Sequence, residues 1–212
     1  MNIKTSITNH LPKASIVTNV FTVVAAFGLG AAVRIAIAEA NSSAEPSSSI
    51  LNSVNVSALH RPVGKADPVL PKEIFSLPIA EYLATDAAST GRLLQMVDGR
   101  SYWVVPGQSS TLCLLATSGT GTTFESAGTC GPATQLKSGS IWFSEDRSDT
   151  TTAIAMLLPD SMNKVVADGQ ERVVGNNFSR ILITRDKKTD LKLIGEGSKE
   201  FPVDLGDFRA DN

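Results

Sequence analysis

This chain of 212 residues contains few histidines and cysteines and has almost no net charge. The chain has two histidines, two cysteines and a formal net charge of −2 at pH 7. A balanced charge supplies no basic field for nucleic acid, so nucleic-acid binding is not expected. His10 and His60 both lie outside the segment with regular strand patterns. A Ser-His-Asp triad would need His60 to fold back from a polar linker, where a lone histidine is ordinarily solvated.

Catalytic and metal-binding motifs are also lacking. No G-x-S-x-G or H-E-x-x-H occurs, and the cysteines are too far apart for a C-x-x-C metal knuckle. Gly119-Thr120-Gly121 is a lone G-x-G and is interpreted as a hairpin loop. Glu145, Asp146 and Asp149 form an acidic turn with Arg147, interpreted as a solvated loop and not a calcium site. The sequence therefore assigns no catalytic, cofactor-binding or metal-binding residue, and no cofactor is expected.

A long apolar run lies near the N-terminus. Residues 1–15 are polar and contain Lys4 and Lys13 but no acid, and residues 16–38 are mostly apolar. Such a run is long enough to span a bilayer as a helix. Because lysines precede the run and Glu39 follows it, the positive-inside rule places residues 1–15 in the cytoplasm and the rest of the chain outside.

Two interpretations of residues 16–38 remain open. One is an uncleaved transmembrane anchor, which would make the protein a single-pass protein of the cell membrane with its C-terminal domain outside. The other is a signal segment cleaved near Ala38, where A-x-A sites occur, which would make the protein secreted. The lysine-bearing, acid-free start argues against a buried core helix of a soluble protein.

Residues 39–70 are predicted to be a flexible Ser/Pro-rich linker. The run 41–49 contains five serines, an acid and a proline, and cannot bury enough apolar surface to order itself. The residues from 71 to 200 are predicted to form an extracytoplasmic β domain that folds alone, and residues 201–212 a polar tail.

Strand and turn signals alternate through residues 71–200. Asp98-Gly99 and Asp168-Gly169 each separate two apolar runs, which predicts two tight hairpins. A short helix is predicted over 78–84 and one helical turn over 131–137. Low charge and few aromatic residues suit a mainly β fold, a small antiparallel sandwich or barrel-like domain with one or two short helices. The predicted strands are 92–97, 101–105, 111–117, 140–144, 152–158, 162–167, 170–174, 178–184 and 191–194.

The larger aromatic side chains are expected in the core, since a small β domain needs them to fill its centre. An exposed aromatic binding platform is the alternative. The residues concerned are Trp103, Trp142, Phe143 and Phe178.

Several short motifs between about residues 90 and 180 resemble those of a known group of proteins. The group comprises uncharacterised extracytoplasmic β-domain proteins, secreted or membrane-anchored, of high-GC Gram-positive bacteria. The resemblance implies a secreted or anchored domain and supplies no activity. This chain departs from the pattern at Leu158, where the group has Val, and at Ser161, where it has Gly. The motifs are Trp103-Val104-Val105-Pro106, Cys113, Cys130, Leu158-Pro159-Asp160, Val165-Val166 and Asn176-Asn177-Phe178.

Cys113 and Cys130 are predicted to form a disulfide. An extracytoplasmic address permits one, and two cysteines leave no odd thiol. Cys113 lies in an apolar strand, residues 118–121 supply a turn, and residues 122–129 can return alongside. The alternative is two unpaired buried thiols that behave as small apolar residues.

Two functions of different class fit these observations. The first is a non-catalytic domain, anchored to the membrane through residues 16–38 or secreted, that binds another envelope or extracellular component. The second is an extracytoplasmic hydrolase with an acid pair, which converges only in three dimensions. Exposed apolar surface would favour the first, and two carboxyls of raised pKa in one cleft would favour the second.

Overall fold

Asp98-Gly99 and Asp168-Gly169 close two tight hairpins, as the sequence predicts. All four residues have a positive φ, from 49° to 80°, which a two-residue hairpin turn of this type requires. The described residues all fall in one compact unit of the chain, Ala44–Asn212. The computed structural model describes residues 55–63, 68–137, 139–185, 187–203 and 205.

Eleven strands form three antiparallel sheets within the described residues. The strands are β1 (Arg92–Val97), β2 (Arg100–Pro106), β3 (Thr111–Ser118), β4 (Glu125–Pro132), β5 (Ile141–Asp146), β6 (Thr151–Leu157), β7 (Met162–Ala167), β8 (Gln170–Val173), β9 (Phe178–Thr184), β10 (Leu191–Gly195) and β11 (Glu200–Pro202). Sheet I has the order β1-β2-β3-β4, sheet II the order β5-β6-β9, and sheet III the order β11-β10-β7-β8. The mainly β, antiparallel fold is confirmed, with three sheets where the sequence predicts one sandwich or barrel.

Helices are short throughout the described part of the chain. The predicted helix over 78–84 and the predicted turn over 131–137 are both 3-10 helices, which cover Pro78–Tyr82 and Ala133–Lys137. The α-helices are α1 (Ser57–His60) and α2 (Ala87–Thr90). The 3-10 helices are η1 (Lys72–Ser76), η2 (Pro78–Tyr82), η3 (Gly121–Thr123), η4 (Ala133–Lys137) and η5 (Glu196–Ser198).

Three apolar clusters hold these layers together. Sheets I and II enclose the first, which includes Tyr102, Leu114, Phe143, Leu157 and Phe178. Sheets II and III enclose the second, which includes Ile154, Met156, Val165, Ile181 and Leu193. The segment with η1 and η2 covers the outer face of sheet I over a third, which includes Ile74, Leu83, Trp103, Val105 and Cys113. Strands β2, β3 and β6 are buried on both faces, which explains why their sequences are continuous apolar runs.

The aromatic residues lie where the core prediction puts them. Trp103, Phe143 and Phe178 are buried. Trp142 is partly buried and packs against the cluster between sheets II and III. These four side chains therefore fill the layers and do not form an exposed platform.

The predicted boundaries of the domain need two corrections. Val56, Ala58 and Leu59 are buried in the first apolar cluster, so the prediction of a flexible linker through residue 70 is wrong for these residues. These three apolar side chains belong to the core, but the segment is too short to show a recognisable pattern of apolar residues. At the other end, Phe201 and Val203 pack against the second cluster, so the predicted polar tail begins too early.

The predicted cytoplasmic tail, 1–15, and the predicted anchor or signal segment, 16–38, lie outside the described residues. So do residues 39–54 of the predicted linker. Within the described part of the chain, none of the helices has the length and the apolar composition of a membrane-spanning helix.

Candidate functional site

The predicted disulfide joins Cys113 and Cys130. The two residues are directly opposite each other on β3 and β4, with their Cα atoms 4.0 Å apart. Strand β4 lies at the edge of sheet I, and most of its residues are exposed or partly buried. Because β4 buries little apolar surface, the disulfide helps to keep this strand attached to sheet I. This arrangement assigns the disulfide a structural role.

A polar cluster lies between sheets I and II, and we call it the arginine–glutamate cluster. It consists of Asp98, Arg100, Tyr102, Glu145 and Arg180. Glu145 is only 6% exposed, so its predicted place in a solvated acidic loop is wrong. The reason is the alternation of β5: Phe143 is buried in the apolar cluster between sheets I and II, and Glu145, two residues on, lies on the same face of the strand.

Tyr102 closes the buried end of this cluster. Its hydroxyl donates a hydrogen bond to Glu145 Oε2 at 3.0 Å, and its ring lies 4.7 Å from that of Phe178, centre to centre. Burial, followed by the negative charge of Glu145, raises the pKa of Tyr102 to about 12. The phenol is therefore a firmly protonated donor and not a proton-transfer group near neutral pH.

Two arginines reach the cluster from opposite sheets. Arg100 Nη1 on β2 lies 3.5 Å from Glu145 Oε1, and its Nη2 lies 3.4 Å from Glu125 Oε2. Arg180 Nη1 on β9 donates to Asp98 Oδ2 at 3.0 Å, which also lies 3.6 Å from Arg147 Nη2. The charges are thus paired across the two sheets, with Glu145 inside and Asp98 at the rim.

A second polar group, which we call the Asn177 junction, fastens α1 to the β layers. The Asn177 side-chain oxygen accepts hydrogen bonds from the Ala58 N–H at 2.9 Å and the Ser57 hydroxyl at 3.0 Å. Its amide nitrogen donates to Leu158 O at 3.0 Å and to Asp160 Oδ1 at 2.7 Å. Asp160 Oδ1 also accepts from the Ser57 N–H at 3.0 Å. The junction joins two of the motifs quoted above, Leu158-Pro159-Asp160 and Asn176-Asn177-Phe178.

The same turn also supports β1. Asn176 and Asn177 both have a positive φ, 51° and 62°, a conformation that asparagine tolerates better than most residues. Asn176 Nδ2 donates to Leu94 O at 2.7 Å, at the point where the pairing of β1 with β2 is interrupted by a bulge. The paired asparagines therefore bind two segments at once, which explains the motif without catalysis.

His60 does fold back onto the domain, as a Ser-His-Asp triad would require. Near it, desolvation acts to raise the pKa of Asp160, but hydrogen bonds from Asn177 and Ser57 outweigh this effect, so the pKa is lowered. The electrostatic influence of His60 on Asp160 is smaller and acts in the same downward direction. The Ser57 hydroxyl donates to Asn177, so it acts here in docking α1 and is not aligned as an activated nucleophile.

Asp160 of the Asn177 junction is not suited to act as the general acid of a hydrolytic pair. A hydrolytic acid pair needs one carboxyl with a raised pKa, whereas the pKa of Asp160 is lowered. In the described part of the chain, no three His, Cys, Asp or Glu side chains are grouped so that they could hold a metal ion. Of the two polar groups, the arginine–glutamate cluster is the stronger candidate for contact with a small ligand, because it combines charge, burial and a position near a sheet edge.

The comparisons with known proteins add no assignment. No protein-family model matches the chain, and neither a curated protein nor a solved structure matches it. The likeness to extracytoplasmic proteins of Gram-positive bacteria therefore depends on the short motifs alone.

The sequence predictions do not place the residues of the arginine–glutamate cluster together in one site. A signal for two of them exists in the strand alternation: Glu145 follows Phe143 by two residues, and Arg180 follows Phe178 by two. Both charged residues therefore share a strand face with a buried aromatic ring. Which other side chains they meet depends on how sheets I and II pack, and no local pattern encodes that.

Proposed function

We propose that this chain is a non-catalytic extracytoplasmic domain that binds another component of the cell envelope or the extracellular space. Residues 16–38 tether it to the membrane, or it is secreted after cleavage near Ala38. The observation that carries the proposal is the exposed apolar surface of the segment with η1 and η2. Val69 and Tyr82 are 75% and 59% exposed, and Phe75 is exposed as well.

Several features support a binding role for this segment. Aromatic side chains that combine apolar area with a polar tip are enriched at protein interfaces. The 3-10 helices are anchored from below by Ile74 and Leu83, which are buried in the third apolar cluster. The segment therefore presents Phe75 and Tyr82 on a fixed support, so that binding loses little conformational entropy.

The disulfide and the polar groups fit the same proposal. Disulfides persist in extracytoplasmic compartments, where thiols are not kept reduced. The polar atoms of the Asn177 junction are engaged in internal hydrogen bonds that dock α1. These groups stabilise the domain, which leaves recognition to its surface.

Site-specific photocrosslinking on intact cells tests the binding surface. A photoreactive phenylalanine at Tyr82 or Phe75 should give a discrete crosslinked product. The matched control places the same residue at Val173, which is 78% exposed on β8 of sheet III. Equal crosslinking from Val173 and Tyr82 would show that the segment is not the binding surface.

Protease accessibility tests separately whether the domain lies outside the cell. Protease added to intact cells should remove a C-terminal tag from the anchored protein, and a secreted protein should appear in the medium. Full protection of the tag until the cells are lysed would contradict the extracytoplasmic orientation, whatever the crosslinking experiment shows.

A further inference from the structure

One edge of the Arg180 guanidinium is buried without a hydrogen-bond partner. The side chain is 7% exposed, and Nη1 donates to Asp98 Oδ2 at 3.0 Å. Nε and Nη2 are buried and make no hydrogen bond in the structure. Buried polar groups nearly always find partners, so an unpaired pair of N–H groups on a charged side chain calls for an explanation.

The two free atoms define the shape of the missing partner. The N–H groups of Nε and Nη2 lie on the same side of the planar guanidinium and point in nearly the same direction. This edge binds a carboxylate through two parallel hydrogen bonds, one to each oxygen. A single oxygen can accept from both N–H groups only through two bent hydrogen bonds, whereas a carboxylate gives each donor its own straight one.

The acids of the cluster are already engaged elsewhere. Glu145 accepts from Tyr102 through one oxygen and lies beside Arg100 through the other. Asp98 lies beside Nη1 of Arg180 and Nη2 of Arg147. Among the described residues, neither neighbouring carboxylate therefore caps the free edge.

The residues opposite this part of β9 have small side chains, and β9 lies at the border of its sheet. Ala155 is directly opposite Arg180 in the register of β6 and β9, and Ala153 is opposite Leu182. Strand β9 is an edge strand of sheet II, and Leu182, the next residue on that face, is 59% exposed. The Asp98-Gly99 turn covers the guanidinium from sheet I through ion pairs of a carboxylate that is itself more than half exposed. Because the Asp98 carboxylate is largely in solvent, the turn is the side from which a ligand can approach the guanidinium.

We propose that the free edge of Arg180 is a binding site for the carboxylate group of a ligand, which enters between the Asp98-Gly99 turn and Leu182. Ion pairs link Asp98 to Arg180 and Arg147, and Arg100 to Glu125 and Glu145, so the charges of three arginines and three acids balance. A ligand with one negative charge therefore fits better than a ligand with two. A dianionic phosphate is disfavoured, because Glu145 is buried in the same cluster and repels the second charge. The site does not depend on the extracytoplasmic address or on the surface around Tyr82.

Nuclear magnetic resonance of the arginine side chains tests the site directly. The full chain, kept in detergent micelles if residues 16–38 stay attached, is titrated with sodium formate or acetate, and with chloride and sulfate at equal ionic strength. The Arg180 Nε–H signal, assigned by its loss in Arg180→Lys, should shift saturably with the carboxylates alone. Arg180→Lys keeps the charge but loses the paired donors. The affinity for acetate, measured from the thermal stabilisation that acetate gives, should therefore weaken by at least about tenfold.

Two further variants control for nonspecific effects. Arg185→Lys makes the same exchange at an arginine that pairs with Asp146 at the surface, and its acetate response should equal that of the unmodified chain. Asp98→Asn removes the competing charge and should tighten acetate binding, which keeps the test decisive if Arg180→Lys does not fold. A Nε–H signal that does not respond, or that shifts equally with chloride and sulfate, overturns the proposal and leaves Arg180 as a structural residue.

Discussion

The side-chain amide of Asn177 donates a hydrogen bond to Asp160 Oδ1 at 2.7 Å, from a backbone with a φ of 62°. The same side chain accepts from the N–H of Ala58, so one asparagine joins the turn after β6, the turn before β9 and the start of α1. Asn177 is buried, which makes each of these bonds costly to lose. The motifs Leu158-Pro159-Asp160 and Asn176-Asn177-Phe178 are thus explained by the docking of the N-terminal segment.

Replacement of Asn177 by Ala should destabilise the domain strongly. Buried donors and acceptors left unpaired cost about 1–3 kcal/mol each, and alanine in the left-handed region adds about 1 kcal/mol. We expect a loss of about 3–5 kcal/mol in the free energy of unfolding, measured by urea denaturation. Asn176→Ala is the matched control, because its φ of 51° imposes the same backbone cost while its exposed side chain gives up the bond to Leu94 O and none of the buried bonds of Asn177. Equal losses in the two variants would show that the buried bonds of Asn177 add nothing to the stability.

Removal of α1 should lower the free energy of unfolding, which removal of a flexible linker would not do. Val56 and Leu59 are buried in the cluster between sheets I and II, and burying a side chain of this size contributes about 1.5–3 kcal/mol. A chain that begins at residue 68 should therefore be less stable by about 3–6 kcal/mol than one that begins at residue 55. Leu59→Ala in the full chain should lower the stability as well, whereas Val63→Ala, at an exposed position, should not. A truncated chain with an unchanged urea midpoint would show that α1 contributes nothing to the stability of the domain.

Tyr102 predicts a loss of stability at alkaline pH. The ordinary tyrosine pKa is 10.0 and burial raises that of Tyr102 to about 12, so the unfolded chain loses its phenolic proton first. The stabilisation is complete below pH 10 and is lost as the pH rises towards 12, by on the order of 2–3 kcal/mol. In a Tyr82→Phe background Tyr102 is the one remaining tyrosine, so its ultraviolet absorbance reports the titration directly. A midpoint near 10 while the protein is still folded would contradict the buried contact with Glu145.

Local and non-local features differ in how far the sequence reveals them. The two Asp-Gly hairpins and the strands beside them follow from turn chemistry and alternation, which a short window contains. A helix of four residues such as α1 is too short for periodicity to reveal, and its burial depends on Asn177, about 120 residues away. Glu145 and Arg180 lie on inward strand faces, which alternation indicates. Their partners Tyr102 and Asp98 come from another sheet, and the pairing follows only from the packing of the layers.

The disulfide between Cys113 and Cys130 should stabilise the domain through its edge strand. It closes a loop with a sequence separation of 17 residues, and loss of such a crosslink costs about 3 kcal/mol through the entropy of the unfolded chain. The effect should be concentrated in β4. This strand is mostly solvent-accessible, and at Gly128 even a Cβ would lie 2.7 Å from the carbonyl oxygen of Leu114, so large side chains cannot anchor it there.

The double variant Cys113→Ala, Cys130→Ala tests this role. Its free energy of unfolding should fall by about 3 kcal/mol, and the amide hydrogens of β4 should exchange faster. The amide hydrogens of β6 should remain the slowest to exchange. This strand lies in sheet II, which sheet I covers on one face and sheet III on the other. Reduction of the unmodified protein should reproduce both effects. Two alkylated cysteines in unreduced protein from the native host would show that the bond does not form there, and uniform acceleration across β4 and β6 would show that the bond stabilises the whole domain and not its edge.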